Sequence, residues 1–448
     1  MEPNVLLEAL IEEAGVSRAG LAGHVNRAGR ARGLSLRYEH TAVSRWLKGQ
    51  RPRGQVPDLI CEVLAGRLGR PVGLDDVGMG ACAEPGADGA EGASLSGFVE
   101  RATALWRSDE QRRAHLATVP AVTGTPAVMP VWEWENPPED TDVSRPGPGR
   151  VGAADIAMLR SARDHYEQMY RKTGGIATRS RIVRFLNAEA APLLRGGYSD
   201  AVGRSLHRAT AGLVAVAGIC AYDSDAHGLA QRYFHQALRL AKSSGDRGLG
   251  GYVIALLVTQ SLFLGDHRRS IAFAEAALRA AGEHITPALA ADLHAMQAKA
   301  YARLGDAVSA RACIGRAEAQ AGRIHTGREP DETGYVQPGL VDVQVAEALL
   351  GLGDLPAARE HAASAVRAPA HDRGRVHRLA MLSHIELLQG EPDRAAGTAA
   401  EMAMRARGME SQRLRDRLRQ VRRELAASGC SDAVGTTDLI DEALRVPL

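Results

Sequence analysis

Aromatic residues make up only 4% of this 448-residue chain, and its five cysteines are scattered at positions 61, 82, 220, 313 and 430. No Cys-x-x-Cys pair is present, so neither a zinc ribbon nor a disulfide framework is expected, and reduced, mostly buried thiols follow. No stretch approaches eighteen uncharged apolar residues, which argues against a membrane span. The opening MEPNVLLEALIEEAG has acids where a secretory signal needs a basic segment, and points to a cytoplasmic protein. Catalytic signatures are missing too: no phosphate-cradling Gly-x-x-x-x-Gly-Lys-Ser/Thr, no Gly-x-Ser-x-Gly elbow and no His-Glu-x-x-His. His371 and His377 flank DRGRV without further ligands nearby, so neither a metal site nor a cofactor nor an enzyme is expected.

What the chain does have is alanine, glycine and a local excess of positive charge. Small residues suit closely packed helices, and the length exceeds what one core organises, so two or three units are expected. The net charge is only +2, yet between Val16 and Gln55 nine Lys or Arg stand against one acid, Glu39. Such a stretch is the electrostatic footprint that phosphate backbones select.

Residues 1–80 read as a compact module of four or five short helices, capped by Asn4 and Ser17 and closed by glycines. In HTAVSRWLKG, residues 40–49, Val43, Trp46 and Leu47 fall at helical spacing. Thr41, Ser44, Arg45 and Lys48 repeat that spacing on the opposite face, so one face packs and the other is free to read. Residues 78–97 have linker composition. From 98 a helix around FVERATALW leads into MPVWEWENPPEDTDVSRPGPGR, read as an extended strap that docks through Trp132 and Trp134. The linker and strap together span 81–150.

From 151 to about 430 helical periodicity is punctuated by recurring turns. LGDHRRSIAFAEAAL at 264, LGDAVSARACIGRAE at 304, LGDLPAAREHAASAV at 352 and the weaker LQGEPDRAAGTAA at 388 share one plan. The turn glycines Gly265, Gly305, Gly353 and Gly390 are 40, 48 and 37 residues apart, the range of helix-turn-helix solenoids. Leu-Gly-Asp ends one helix and its Asp caps the next. ESQRLRDRLRQVRREL carries Leu414, Leu418, Val421 and Leu425, which fits either a capping helix or a short dimeric coiled coil. Residues 431–448 are read as a tail.

With these units in view, YFHQALRLA and the later LGD turns resemble tetratricopeptide repeats over roughly 205–425. SRAGLAGHVN (17–26) and TAVSRWLKG (41–49) resemble the helix-turn-helix domains of the xenobiotic response element family. That resemblance makes the second segment a recognition helix, with His40, Thr41, Ser44 and Arg45 facing base edges. Ser17, Arg18, Arg37, Lys48, Arg51 and Arg53 would then hold phosphates. One departure is the connection GRARGLSLRYEH, twelve residues between Ala28 and Thr41, where three or four are usual.

Nearly the whole chain, and most closely the segment that begins GRVGAADIAMLRSARDHYEQMYRKTGGIATRSRIVRF, resembles actinobacterial regulators of sporulation and antibiotic production. The implied protein is all-α: a helix-turn-helix head, a linker and a tetratricopeptide-like solenoid. Its implied partners are double-stranded DNA, a second copy of itself in a homodimer, and a peptide, protein or small-molecule effector in the repeat groove.

Within the repeats, Arg163, His165, Tyr166, Gln168, Tyr170 and Arg171 crowd polar and aromatic groups onto one helix. With Arg179, Arg195, Tyr198, His207, Arg208, Tyr222 and Asp223 they could line a pocket for an anionic or peptide ligand, or form a hydrogen-bond network between repeats. A non-DNA-binding scaffold, whose basic head docks a protein partner, is the alternative reading of the whole chain.

Overall fold

A computed structural model describes residues 4–32, 34–50, 52, 54–68, 72–74, 76–79, 94–111, 113–325, 327–336, 339–430 and 432–445. Its contacts divide the chain into two units, Met1–Glu91 and Gly92–Leu448. Both are helical, and among the described residues the only extended pairings are isolated bridges of Arg145 with Tyr198 and Arg150 with Gly197. No helix among those residues is long and apolar enough to cross a membrane.

The first unit packs α1 (Val5–Glu13), α2 (Arg18–Ala31), α3 (His40–Leu47) and α4 (Val56–Leu68) around one core. These four helices stand among its described residues, where four or five were expected. Asn4 caps α1 by accepting from the Leu7 amide at 3.0 Å, and Ser17 caps α2 by accepting from the Gly20 amide at 3.1 Å. Leu21, Val25, Val43, Trp46, Leu59 and Leu64 fill the centre. α2 runs a turn past Ala28, so the connection to α3 shrinks to Arg32 through Glu39. It is not a loose loop: Leu34, Leu36 and Tyr38 turn inward, while Ser35, Arg37 and Glu39 turn out.

The second unit begins with α5 (Leu95–Gln111), α6 (Arg113–Ala117) and α7 (Thr125–Glu135). The segment read as linker and strap therefore belongs largely to this unit, and its tryptophans sit on a helix rather than an extended strand. Pro130 falls inside α7, a position where proline removes a backbone donor, and that feature hid the helix from the sequence pattern. Trp134 is buried and docks against α13, whereas Trp132 is 52% exposed. Non-helical chain follows at 143–151, bridged to Gly197 and Tyr198.

The repeats follow as antiparallel pairs. α8 (Ala153–Thr173) packs on α9 (Gly175–Phe185), which passes through a π-helical turn at Leu186–Ala190 into α10 (Ala191–Arg195). Next come α11 (Asp200–Asp223) with α12 (His227–Ser244) and α13 (Arg247–Phe263) with α14 (His267–Ala281). α15 (Pro287–Arg303) pairs with α16 (Ala307–Ala321), and α17 (Leu340–Gly351) with α18 (Leu355–Arg367). α19 (Asp372–Leu388) pairs with α20 (Pro392–Ala406), and α21 (Gln412–Ser428) with α22 (Asp432–Leu444).

The turn chemistry is as the sequence implies. Gly265, Gly305 and Gly353 have φ of 77°, 78° and 78°, the left-handed geometry that glycine adopts without a Cβ penalty. Asp266, Asp306 and Asp354 then cap α14, α16 and α18 by accepting from backbone amides three residues on. Residues 431–448, read as a tail, instead form α22 for most of their length, with Ile440 fully buried. Leu414, Leu418, Val421 and Leu425 are buried against α19, α20 and α22, so that stripe is spent inside the chain and leaves no coiled-coil seam.

Candidate nucleic-acid interface

α3 presents two faces because its apolar residues recur at helical spacing. Ala42, Val43, Trp46 and Leu47 are buried, and the Trp46 ring meets Tyr38 edge-on at 5.2 Å. On the other side His40, Thr41, Arg45 and Lys48 are exposed, and Ser44 is half-buried with its hydroxyl donating to the His40 carbonyl at 3.0 Å. The approach to α3 is fixed by Asn26 in α2. Its side-chain amide donates to the Tyr38 carbonyl at 2.8 Å, and its carbonyl accepts from the Tyr38 amide at 2.8 Å. Leu36 completes the anchor by packing over Gly29, where a Cβ would collide with it.

Charge follows the same division. Among the described residues, Arg37, Arg45 and Lys48 make no ion pair, and neither do Arg27 and Arg30 on the exposed side of α2. Arg18 reaches Glu8 at 3.3 Å and Arg32 reaches Glu62 at 2.7 Å; both pairs are solvent-exposed and open to exchange for a phosphate. Ser17 is engaged as the α2 cap, and Arg51 and Arg53 lie outside the described residues. The chemistry available is thus a helix face of hydrogen-bonding side chains with unpaired guanidinium and ammonium groups around it. Arg27 and Arg30 are exposed on α2 and were counted in the sequence only as bulk charge. Asn26 carried no sequence signal, because its partner lies across a loop.

The repeat residues read as either a pocket lining or a network between repeats fall into separate groups. Arg195 grips Glu100 through two bonds of 2.9 Å, and Tyr198 donates to the Leu194 carbonyl at 3.2 Å. His207 is fully buried, 3.0 Å from the Ser243 hydroxyl and 3.4 Å from that of Tyr198. Burial, reinforced by Arg239, pushes its imidazole down to about 4, so it is neutral.

Arg163 pairs with Asp164 at 2.8 Å and Glu167 at 2.6 Å, and Arg171 also meets Glu167. His165 and Gln168 are exposed beside them, and Tyr166 packs edge-on against Phe185 at 5.8 Å. Arg179 is buried against Asp109, and Arg208 bridges Asp246 at 2.7 Å and Glu332 at 2.9 Å. Tyr170, Tyr222 and Asp223 form a third group. His207 and Asp223 share α11 sixteen residues apart, a separation of about 24 Å at the helical rise.

An open depression on this unit, about 350 Å³, is lined by Arg204, Arg208, Asp246, Arg247 and His284. Its arginines are answered by Asp200, Asp246, Glu332 and Glu139, so it holds little uncompensated charge.

Residues 7–80, which span the four-helix unit, match the family model of the SP15 N-terminal domain. No curated protein matches the chain.

Proposed function

We propose that the protein is a DNA-binding transcriptional regulator rather than an enzyme, whose four-helix head reads duplex DNA through α3. The observation that carries this reading is the division of α3: Trp46 and its neighbours anchor it, and His40, Thr41, Ser44 and Arg45 face out, within a field of unpaired cations. Arg45 suits a bidentate contact to guanine, and Thr41, Ser44 and His40 hydrogen-bond to other base edges. Arg27, Arg30, Arg37 and Lys48, with Arg18 released from Glu8, hold phosphates on either side.

On this reading the helical repeats receive a peptide, protein or small-molecule effector, and two chains act as a dimer on paired half-sites, with the chain working at the nucleoid. The regulated processes proposed are development or secondary metabolism. Duplex titration across salt concentration tests the head directly. Counterion release gives a slope of log affinity against log salt of about −0.9 per phosphate contact, whereas a head that docks protein gives no duplex binding even at low salt.

A further inference from the structure

The two ends of the repeat array meet. Solenoid repeats touch their neighbours, yet α19 packs on α8, and the turn ahead of α21 reaches the junction of α8 and α9. There the Glu410 amide donates to the Thr173 carbonyl at 2.6 Å, and the Glu410 carbonyl accepts from the Ile176 amide at 3.2 Å. Gly174 lies between these bonds with φ of 98°, and a Cβ on it would collide with the Glu410 carbonyl.

Beneath them Asp223, fully buried, accepts from the Gly175 amide at 2.8 Å, from the Ser411 hydroxyl at 2.8 Å and from Arg373. The Arg373 guanidinium lies 4.6 Å over the Tyr170 ring. From α21, Arg413 enters an aromatic slot, 4.1 Å from the Tyr222 ring and 4.2 Å from that of Phe263. His227 lines the slot at 4.8 Å from Phe263.

This junction differs from the contacts that build the repeats. Those are built mainly on buried apolar clusters, whereas the junction is polar, rests on a few side chains, and is incompletely satisfied. The Tyr222 hydroxyl, Arg373 Nε and an Arg413 terminal nitrogen are buried without a hydrogen-bond partner. Contacts with little apolar burial separate at lower free energy than the units they join. Each repeat keeps its own core when they part, because the leucines of α21 and the alanines of α19 and α20 bury within their own cluster.

We propose that this junction is a clasp, a self-contact between the two ends of the array that opens as a unit while the repeats stay folded. Opening it parts Asp223 from Arg373 and Ser411 and withdraws Arg413 from its slot. The acid, the aromatic slot and the two arginines are therefore the residues that hold it shut.

Hydrogen exchange of the full-length protein tests this, because the Ile176 and Glu410 amides are themselves clasp donors. In the wild type these two amides should exchange faster than those in the middle of α13 and α15. Arg413→Ala should speed them by at least about ten-fold, leave α13 and α15 unchanged, and raise the radius of gyration seen by X-ray scattering. Arg413→Lys, which keeps the charge but stacks less well, should fall between. The proposal is overturned if Ile176 and Glu410 exchange in step with α13 and α15 in both proteins, or if Arg413→Ala accelerates exchange evenly across the array. Either result makes the junction an inseparable part of the fold.

Discussion

Asn26→Ala isolates the device that presents α3. The side chain makes two bonds of 2.8 Å, both to the backbone of Tyr38, and is only partly buried. At about 1 kcal/mol net for each bond, the substitution should cost about 2 kcal/mol. A domain of this size holds roughly 4–11 kcal/mol in total, so the head stays folded but loses a substantial share of its stability. The bonds hold Tyr38 against Trp46, so the loss should be local: exchange of amides in residues 34–47 rises about 30-fold in the full-length protein, while that of the repeats does not change. Asn26 faces the loop and not the outer side of α3, so affinity should fall by the same factor for every duplex. A loss below about 0.5 kcal/mol, or an altered sequence preference, would refute the assignment of Asn26 as an anchor.

Other consequences are equally specific. Arg45→Ala should cost about 1–3 kcal/mol on a preferred duplex and blur its sequence preference, whereas Arg37→Ala should weaken all duplexes alike, both read by anisotropy titration. His207 is neutral in the fold and charges more readily when unfolded, so the unfolded chain takes up the extra proton. Stability from this group is therefore present above pH 6.5 and lost as pH falls toward 4, by about 3 kcal/mol in full. Thermal melts of His207→Gln should show a shallower loss over that window. Arg179→Met should cost about 3–5 kcal/mol in denaturant unfolding, because among the described residues it leaves the buried Asp109 with the Tyr233 hydroxyl alone, at 2.7 Å. Adding Asp109→Leu should recover most of the loss.

How much of this was legible in the sequence depends on the range of the cause. The Leu-Gly-Asp turns are local: a left-handed glycine followed by a capping aspartate needs no distant partner, and Gly265–Asp266, Gly305–Asp306 and Gly353–Asp354 follow the rule. The faces of α3 were legible for the same reason, since apolar spacing decides which side packs. Asp223 on α11 and Arg195 on α10 were not, because their partners are remote. Arg373 and Ser411 reach Asp223 from 150 and 188 positions away, and Glu100 reaches Arg195 from 95. Charge crowded on one helix looks the same in sequence whether it lines a pocket or joins repeats. α22 was missed because its short apolar pattern becomes a helix face only once α20 and α21 supply a surface to cover.

The most direct test of the central claim is selection of duplexes from a random pool by the full-length protein, followed by titration of the enriched sequence against wild type and Arg45→Ala. A head that reads DNA through α3 gives a recovered motif with paired half-sites, steep salt dependence, and selective loss of affinity in the variant. No enrichment at low salt, or equal binding by wild type and Arg45→Ala, would contradict that claim and leave the basic face of the head to a protein partner.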